Sequence, residues 1–485
     1  MNQEVTVQTT SGPVIGLMGY QFLGVPYGTA KRFQTAQLAS WSEPKRCTEY
    51  GSAALQPNFL GKRMTGVELH LTGSEDCLNL NIWTPSLEAD RKLPVVIYVH
   101  GGAFQTGSNS NPERSGDRFA KDTPMVFVSV NYRLGVLGGL YLADLLGEEY
   151  RDSGSNSVLD VLLAIRWVKA NAAAFGGDPE NITLMGISAG AKSIGALMTM
   201  EESNSLFSKV VLESGAVQAL RSTTAAKELR DRYMEHLKGT SPQDLPNLPV
   251  ETLLEAQVEF CSRDGSTAFF GPVLDGTTFR EDWLEHWEKG DTWKGSALIG
   301  SGLCEMRKLA EQPEFLKNPA PVLQDMFGGN AETLQKIYNS TGTDWTKLLS
   351  DAMYRSASDR LARRLAKNGN PVWVYSFDYL PAHHGMGFHF IMGQESSPFC
   401  QVSEQELPNA KKTAAVMNQC VRDFIWSGTP DPSGVLGWQA IANGGGDKLS
   451  FGPKITFRPF QGDSLAEIPE YTYSETGKKR EGGLF

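Results

Sequence analysis

The sequence predicts an α/β fold built on a central, mostly parallel sheet. Apolar runs rich in β-branched residues alternate along the chain with longer stretches of helical period, which is the pattern of such folds. The clearest pair is the run 182–185, followed after a glycine-rich turn by a small-residue helical stretch at 192–200. The other predicted elements are strands at 78–83, 95–99, 126–130, 209–213, 273–276, 297–300 and 372–377 and a helix at 158–174.

The turn between that strand and that helix reads G-I-S-A-G at 186–190. A strand followed by G-x-S-x-G and then a helix is the setting in which this motif forms a nucleophile elbow. The glycines leave room for a sharp turn, and the strained serine exposes its hydroxyl at a helix N-terminus, where partial positive charge favours an anion. Ser188 is the predicted nucleophile. The alternative is a glycine-rich turn with a hydrogen-bonded serine.

A second loop follows the apolar run 93–99 and reads H-G-G-A-F at 100–104. Acyl transfer requires hydrogen-bond donors near the oxyanion, and loops of this type supply backbone amides for that purpose in serine hydrolases. The predicted donors are the amides of Gly102, Ala103 and Ala189. A tight strand-end turn is the alternative, and the presence of both motifs in this order disfavours it.

The composition excludes several classes of function. A net charge of −10 and a pI near 5.4 disfavour nucleic acid and anionic membranes as partners. No stretch is long enough to span a membrane, and neither a secretory signal nor a C-terminal anchor signal is recognisable. The expectation is a cytoplasmic protein, a monomer or small homo-oligomer, whose partners are a small molecule and water. The six cysteines form no C-x-x-C pair, which disfavours a zinc site or a redox pair. No metal and no cofactor are expected.

Further segments resemble the type-B carboxylesterase family, which includes cholinesterases and bacterial para-nitrobenzyl esterases. Residues 75–81 (EDCLNLN) resemble its E-D-C-L-x-L-N signature, and residues 131–135 (NYRLG) resemble its N-Y-R-x-G segment. The runs W-V…F-G-G-D-P-x-N-I-T at 167–183 and L-F…E-S-G at 206–215 match as well. The likeness extends from about residue 5 to about residue 430.

The resemblance implies an α/β-hydrolase fold and a single catalytic domain over residues 1–485, with helical insertions at about 223–261 and 306–370 bordering the active site. In secreted members the cysteine of E-D-C-L pairs with one in the preceding loop. Ala54 stands where that partner would fall, so Cys77 is expected to lack its usual bridge, with Cys47 as the other candidate partner. Free thiols in a reducing compartment are the simpler expectation.

A serine nucleophile needs a base and an orienting acid, which this fold supplies in the order serine, acid, histidine. The histidines that follow the strand 372–377 are His383, His384 and His389. The family places its histidine nine residues before the glycine of F-[VI]-[FM]-G. The match at 390–393 implies that His384 is the base, with His383 as the fallback.

The acid is expected in the loop after the strand 297–300. Family members carry D-E-G there, the glutamate being catalytic, and Glu305 lies five residues past Gly300, where that acid lies. The flanking residues Cys304 and Met306 depart from the family pattern. Without the resemblance, a solvated surface carboxylate would be the ordinary interpretation.

The resemblance also implies two structural charge pairs, Arg133 with Asp160 and Arg32 with Glu75. Buried pairs of this kind fix geometry more than they add stability. Ser214 is expected either to hydrogen-bond near the triad or to be a satisfied core serine.

Ile187 stands where many family members place a glutamate, immediately before the nucleophile. An isoleucine makes the pocket drier and less anionic, which disfavours a cationic, choline-type substrate. Phe104, Phe269 and Phe270 are expected to line an apolar pocket, or else to be ordinary core aromatics.

These observations predict a serine carboxylic-ester hydrolase that acts on neutral esters of short to medium acyl length through an acyl-enzyme intermediate. One alternative is hydrolysis of another acyl bond, such as an amide, carbamate or lactone, because the same chemistry serves them all. The other is a non-catalytic binding member of the family, although such members have usually lost the serine or the histidine.

Overall fold

The computed structural model describes residues 4–57, 72–88, 92–120, 123–263, 270–327, 330–442 and 445–460. A large sheet runs through these residues. Its strands are β1 (Glu4–Gln8), β2 (Pro13–Leu17), β3 (Gln21–Pro26), β4 (Asn79–Trp83), β5 (Leu93–Val99), β6 (Val126–Val130), β7 (Gly177–Ile187), β8 (Lys209–Glu213), β9 (Ser296–Gly302), β10 (Val372–Phe377), β11 (Asp447–Phe451) and β12 (Ile455–Pro459), and the short strand Lys45–Arg46 pairs with β2.

The strands lie in the order β1-β2-β3-β4-β6-β5-β7-β8-β9-β10-β11-β12. From β6 to β11 neighbouring strands are parallel, whereas the strands at both ends pair antiparallel. Every residue of β5, β6 and β8 is buried, which agrees with their apolar sequences, because parallel strands covered on both faces have no solvent side. The predicted α/β fold with a mostly parallel sheet is confirmed.

Helices cover both the sheet and its carboxyl edge. They are α1 (Gly116–Phe119), α2 (Gly135–Gly139), α3 (Ala143–Leu146), α4 (Asn156–Asn171), α5 (Ala189–Leu197), α6 (Ser203–Leu206), α7 (Thr223–Glu235), α8 (Val250–Arg263), α9 (Trp283–Glu288), α10 (Arg307–Ala310), α11 (Pro313–Lys317), α12 (Ala320–Phe327), α13 (Ala331–Thr341), α14 (Trp345–Ser350), α15 (Ser356–Lys367), α16 (Met386–Ile391) and α17 (Leu407–Ser427). The stretch 223–261 contains α7 and most of α8, and the stretch 306–370 contains α10 to α15. No helix in the described part of the chain is long and apolar enough to cross a membrane.

The register of the parallel strands places four strand ends in one row. Ile187 on β7 pairs with Glu213 on β8, Glu213 pairs with Gly300 on β9, and Gly300 pairs with Tyr375 on β10. Parallel strands end at a common edge, so the loops that follow these four strands converge. The predicted nucleophile, acid and base all lie in those loops or directly beyond them.

The two expected charge pairs differ in environment. Arg133 and Asp160 form a bidentate pair at 2.7 and 2.8 Å, and both side chains are almost fully buried. Arg32 also pairs with Glu75, with Nε 2.8 Å from Oε2. The expectation that this second pair is buried is wrong, because 38% of the glutamate side chain is exposed at the surface.

The cysteines are all free thiols. Cys47 and Cys77 are both buried, and neither takes part in a disulfide. Burial raises the pKa of the Cys47 thiol to about 11 and that of the Cys77 thiol to about 12. Both therefore behave as small apolar core residues.

Candidate active site

The nucleophile elbow joins β7 to α5 with a single residue between them. β7 ends at Ile187, α5 begins at Ala189, and Ser188 has φ 55° and ψ −121°. A Cβ on Gly190 would lie 2.1 Å from the carbonyl oxygen of Val99, so the helix can pass this close to β5 only with glycine there. The predicted helix start at residue 192 is wrong by three residues, because the elbow's small residues already form the first helical turn.

Ser188, His384 and Glu305 are hydrogen-bonded in series. Nε2 of His384 lies 2.9 Å from Oγ of Ser188, and Nδ1 lies 2.6 Å from Oε2 of Glu305. An ionised Glu305 keeps the proton on Nδ1, so Nε2 is left to accept the serine proton. The glutamate side chain is fully buried, whereas 31% of the imidazole is exposed. This arrangement can deprotonate a serine on the open side of the site.

Two further donors hold the other oxygen of Glu305. Oγ of Ser214 and the backbone nitrogen of Gly302 each lie 2.5 Å from Oε1. A buried carboxyl group with donors on both oxygens has a fixed orientation. Ser214 thus contacts the triad, which was one of its two expected roles.

The loop at 100–104 has a strained backbone. Gly102, Ala103 and Phe104 have φ values of 122°, 55° and 59°, and positive φ is costly for the alanine and the phenylalanine. Among the described backbone hydrogen bonds, none has the amide of Gly102, Ala103 or Ala189 as its donor. The amide of Ala189 opens helix α5, where no intrahelical acceptor exists. These N–H groups are therefore available to a ligand.

His100 and Tyr132 anchor this loop beside the elbow. Their rings stack at 4.4 Å, and the Tyr132 hydroxyl donates to the carbonyl oxygen of His100 at 2.7 Å. Burial lowers the pKa of His100 to about 4, so its neutral ring donates from Nδ1 to the carbonyl oxygen of Gly101 at 2.8 Å. A Cβ on Gly101 would lie 2.8 Å from the carbonyl oxygen of Ile187, which shows how closely the loop approaches the elbow.

The other two candidate histidines have different partners. Nε2 of His383 lies 2.9 Å from the carbonyl oxygen of Phe399, and burial lowers the pKa of this imidazole. Nδ1 of His389 lies 3.0 Å from the carbonyl oxygen of Gly385, and burial lowers its pKa to about 4. His384 is the histidine that the structure brings to Ser188.

The predicted pocket aromatics lie in separate environments. Phe104 is almost fully buried. Phe270 packs against Tyr233 of α7 and Phe260 of α8, with ring centroids 6.2 and 6.1 Å apart. Phe269 lies outside the described residues. Phe270 thus belongs to the aromatic cluster under the first insertion, and the lining of the pocket by these three residues stays a prediction.

Two residues beside the triad were not singled out from the sequence. Tyr354 lies on a π-helical turn at Asp351–Arg355, and its ring centroid is 4.6 Å from that of His384. Nζ of Lys192 lies 5.2 Å from the centre of the same tyrosine ring, and the lysine is buried. Turns of this kind often occur at functional sites. In the sequence, Tyr354 is marked only by its position in the predicted insertion 306–370. Lys192 is marked only by its position one helical turn after Ser188.

Among the described residues, no group of three or more histidine, cysteine, aspartate or glutamate side chains could hold a metal ion.

A model of the carboxylesterase family matches residues 3–458 of the chain. The chain belongs to the carboxylesterase family. It is therefore an ester hydrolase whose substrates are small-molecule esters and water, and the resemblance noted in the sequence is confirmed.

Individual relatives agree with this assignment. Para-nitrobenzyl esterase of Bacillus subtilis (strain 168) is 28% identical over 458 residues, which cover 90% of this chain and 92% of that protein. Phenmedipham hydrolase of Pseudarthrobacter oxydans is 32% identical over 394 residues, covering 76% and 77%. A crystal structure of a Geobacillus stearothermophilus carboxylesterase has a TM-score of 0.80 and 29% identity, covering 96% of this chain and 98% of that one. The chain therefore has the α/β-hydrolase fold.

Proposed function

We propose that this carboxylesterase hydrolyses neutral esters of short to medium acyl length through an acyl-enzyme formed on Ser188. The observation that carries the proposal is the hydrogen-bonded series from Glu305 through His384 to Ser188, at 2.6 and 2.9 Å. A nucleophile, a base and an orienting acid within hydrogen-bond reach are what serine-dependent acyl transfer requires.

The proposed reaction has two halves. Oγ of Ser188 attacks the ester carbonyl while Nε2 of His384 takes its proton, and that proton then goes to the departing alcohol. Water, deprotonated by the same imidazole, attacks the acyl-enzyme and releases the acid. Glu305 orients the ring throughout and stabilises its cation, and the two donors on its second oxygen keep it in place.

The oxyanion of both tetrahedral intermediates is proposed to bind the amides of Gly102, Ala103 and Ala189. Their lack of a described backbone acceptor supports this role, as does the position of Ala189 at the start of α5, where the helix dipole favours negative charge. Preorganised donors of this type commonly contribute about 10²- to 10³-fold in kcat each.

The preference for neutral esters rests on the charge around the triad. Ile187 presents an apolar side chain whose Cδ1 would lie 3.5 Å from a Cβ on Gly385, the residue after the proposed base. A cationic alcohol group would meet no carboxylate at this position.

One experiment tests the nucleophile and the substrate class together. A fluorophosphonate probe is expected to label Ser188 and no other serine, and Ser188→Ala is expected to abolish both labelling and turnover of p-nitrophenyl esters. Ser193→Ala is the matched control, because Ser193 lies on the same helix with its hydroxyl bonded to the carbonyl oxygen of Ala189. Labelling that survives in Ser188→Ala would contradict the mechanism.

The acyl group is tested by a series of p-nitrophenyl esters from acetate to palmitate, together with the p-nitroanilide, a carbamate and a lactone of matched size. The highest kcat/KM is expected for esters whose acyl chains have about two to eight carbons. A higher kcat/KM for the anilide, the carbamate or the lactone than for the matched ester would instead assign another acyl bond.

A further inference from the structure

A second buried carboxyl lies directly behind the triad. Glu213 is the last residue of β8 and is fully buried. Its Oε2 accepts a hydrogen bond from the hydroxyl of Tyr375 on β10, and its Oε1 lies 3.4 Å from Oγ of Ser214. The titratable groups that face it among the described residues are Tyr375 and Glu305, and neither is a cation. The proposed mechanism leaves this carboxyl without a role.

Glu213 touches each of the three segments that carry the triad. Its carbonyl oxygen accepts from the backbone nitrogen of Ser188 at 3.0 Å. Ser214, the next residue, donates to Glu305. Helix α16 begins two residues after His384, and a Cβ on its Gly387 would lie 2.2 Å from Oε1 of Glu213, so glycine lets this helix rest on the carboxyl.

The distances around Ser214 show which carboxyl group receives its proton. The serine hydroxyl has one proton and lies between two carboxyl groups, 2.5 Å from Oε1 of Glu305 and 3.4 Å from Oε1 of Glu213. Hydrogen bonds from hydroxyl groups to oxygen are about 2.5–3.0 Å long. The serine proton therefore goes to Glu305, the nearer carboxyl, and the Ser214 oxygen is left as an acceptor that faces Glu213.

Burial and the neighbouring Glu305 act on Glu213 in the same direction. They raise the pKa of Glu213 to about 8, so the carboxyl keeps its proton at neutral pH. A protonated Glu213 can accept from Tyr375 at Oε2 and donate from Oε1 to the lone pair of Ser214, whose own proton goes to Glu305. Only one negative charge is then buried behind the triad.

We propose that Glu213 is a positioning residue that acts as a neutral carboxylic acid, orienting the Ser214 hydroxyl toward Glu305 and thereby holding the acid of the triad. The inference rests on the proposed triad of Ser188, His384 and Glu305. When Glu213 is ionised it competes for the Ser214 proton, and Glu305 loses one of its donors.

The test compares Glu213→Gln with Glu213→Leu, using p-nitrophenyl butyrate as substrate. Glutamine is neutral, has the same shape, and can accept from Tyr375 and donate to Ser214, so kcat is expected to stay within about threefold of the wild type. Leucine removes both contacts and is expected to lower kcat by about tenfold to a hundredfold with little change in KM, because the lost group positions the triad rather than binding substrate.

Two further measurements separate positioning from simple loss of structure. The double variant Glu213→Leu/Ser214→Ala is expected to be no slower than Ser214→Ala alone, because both changes interrupt one chain of hydrogen bonds. The wild-type kcat is expected to fall above about pH 8 as Glu213 ionises, and Glu213→Gln is expected to lack this decline. The pH profiles decide the question even if the leucine variant does not fold.

The inference is overturned if Glu213→Gln is as slow as Glu213→Leu, if the effects of Glu213→Leu and Ser214→Ala multiply, or if Glu213→Gln shows the same alkaline decline as the wild type. Failure of the proposed function has a different signature, namely labelling or turnover that persists in Ser188→Ala. A wild type that is labelled at Ser188, with a Glu213 series that contradicts these expectations, would refute only the positioning role.

Discussion

Nε2 of His384 and Oγ of Ser188 are 196 residues apart in the chain and 2.9 Å apart in the structure. The contact exists because β7 and β10 end at one edge of the sheet, with β8 and β9 between them. The neighbouring His383 instead has its Nε2 2.9 Å from the carbonyl oxygen of Phe399. Two adjacent histidines therefore differ completely in their chemical surroundings.

His384→Ala is expected to lower kcat by about 10⁴- to 10⁶-fold, because a serine without its base is a poor nucleophile. His383→Ala is the matched control and is expected to cost less than about tenfold, since the hydrogen bonds it removes go to the backbone carbonyl oxygens of His384 and Phe399. Steady-state kinetics on p-nitrophenyl butyrate, with thermal melting of both variants, checks the prediction. A larger loss in His383→Ala would mean that the base is one residue earlier.

The motifs made most of this site predictable. The elbow requires glycines for a sharp turn around the serine, and the H-G-G-A-F loop requires glycines so that backbone amides can face the site. A few residues therefore identify each motif. The F-I-M-G match selected His384 over His383, although both follow the same strand. Glu305 was found from its place in the chain order, even though Cys304 and Met306 depart from the family pattern.

The parts that could not be predicted depend on contacts between distant segments. Tyr354, whose ring lies beside that of His384, stands on a π-helical turn at Asp351–Arg355, and nothing in the local sequence marks such a turn. The proposed positioning role of Glu213 depends on the register of β8 against its neighbouring strands. It also depends on glycine at position 387, which lets helix α16 approach the carboxyl group. The partial exposure of Glu75 could not be predicted either, because the sequence match indicates that Arg32 and Glu75 pair and not how deeply they are buried.

The buried pair of Arg133 and Asp160 is expected to fix the orientation of both side chains. Removing one partner is therefore expected to lower the free energy of unfolding strongly. Asp160→Asn leaves the guanidinium buried without its counter-charge and is expected to lower the free energy of unfolding by about 3–5 kcal/mol. Glu148→Gln is the control, because its partner Arg151 is largely exposed and no measurable change is expected. Urea unfolding measures both, and equal losses in the two variants would contradict the prediction.

The stability of the enzyme is expected to depend on pH through Glu213. In the unfolded chain this carboxyl loses its proton near its ordinary pKa of 4.5, whereas in the folded protein burial and Glu305 raise the pKa to about 8. The folded state thus holds one more proton between about pH 4.5 and 8, so this residue lowers stability as the pH rises through that window. The change is about 1 kcal/mol per pH unit.

Glu213→Gln removes this titration and keeps the neighbouring contacts. The difference in unfolding free energy between the variant and the wild type is expected to grow in favour of the variant from about pH 5 to pH 8 and then to level off. The subtraction cancels contributions common to both proteins, including those of His100 and His389. A difference that is independent of pH would mean that Glu213 is already ionised at pH 5.

The last prediction concerns the charge of the substrate. Ile187 is buried immediately before Ser188, so this position brings no carboxylate to the bound alcohol group. A carboxylate about 10 Å from a cationic group, at an effective dielectric constant of 20, would contribute about 1.7 kcal/mol of attraction. Aromatic faces attract a quaternary ammonium by about 0.5–2 kcal/mol, and no glutamate precedes Ser188 to add to that attraction.

Butyrylcholine and 3,3-dimethylbutyl butyrate have the same shape and differ by one positive charge, so their kcat/KM ratio isolates the electrostatic effect. The neutral ester is expected to have the higher kcat/KM, and Ile187→Glu is expected to shift the ratio toward butyrylcholine by about tenfold. Because Ile187 is buried, melting of the variant serves as the control for its fold. A wild-type preference for butyrylcholine would contradict the prediction and would require an anionic group near the bound alcohol.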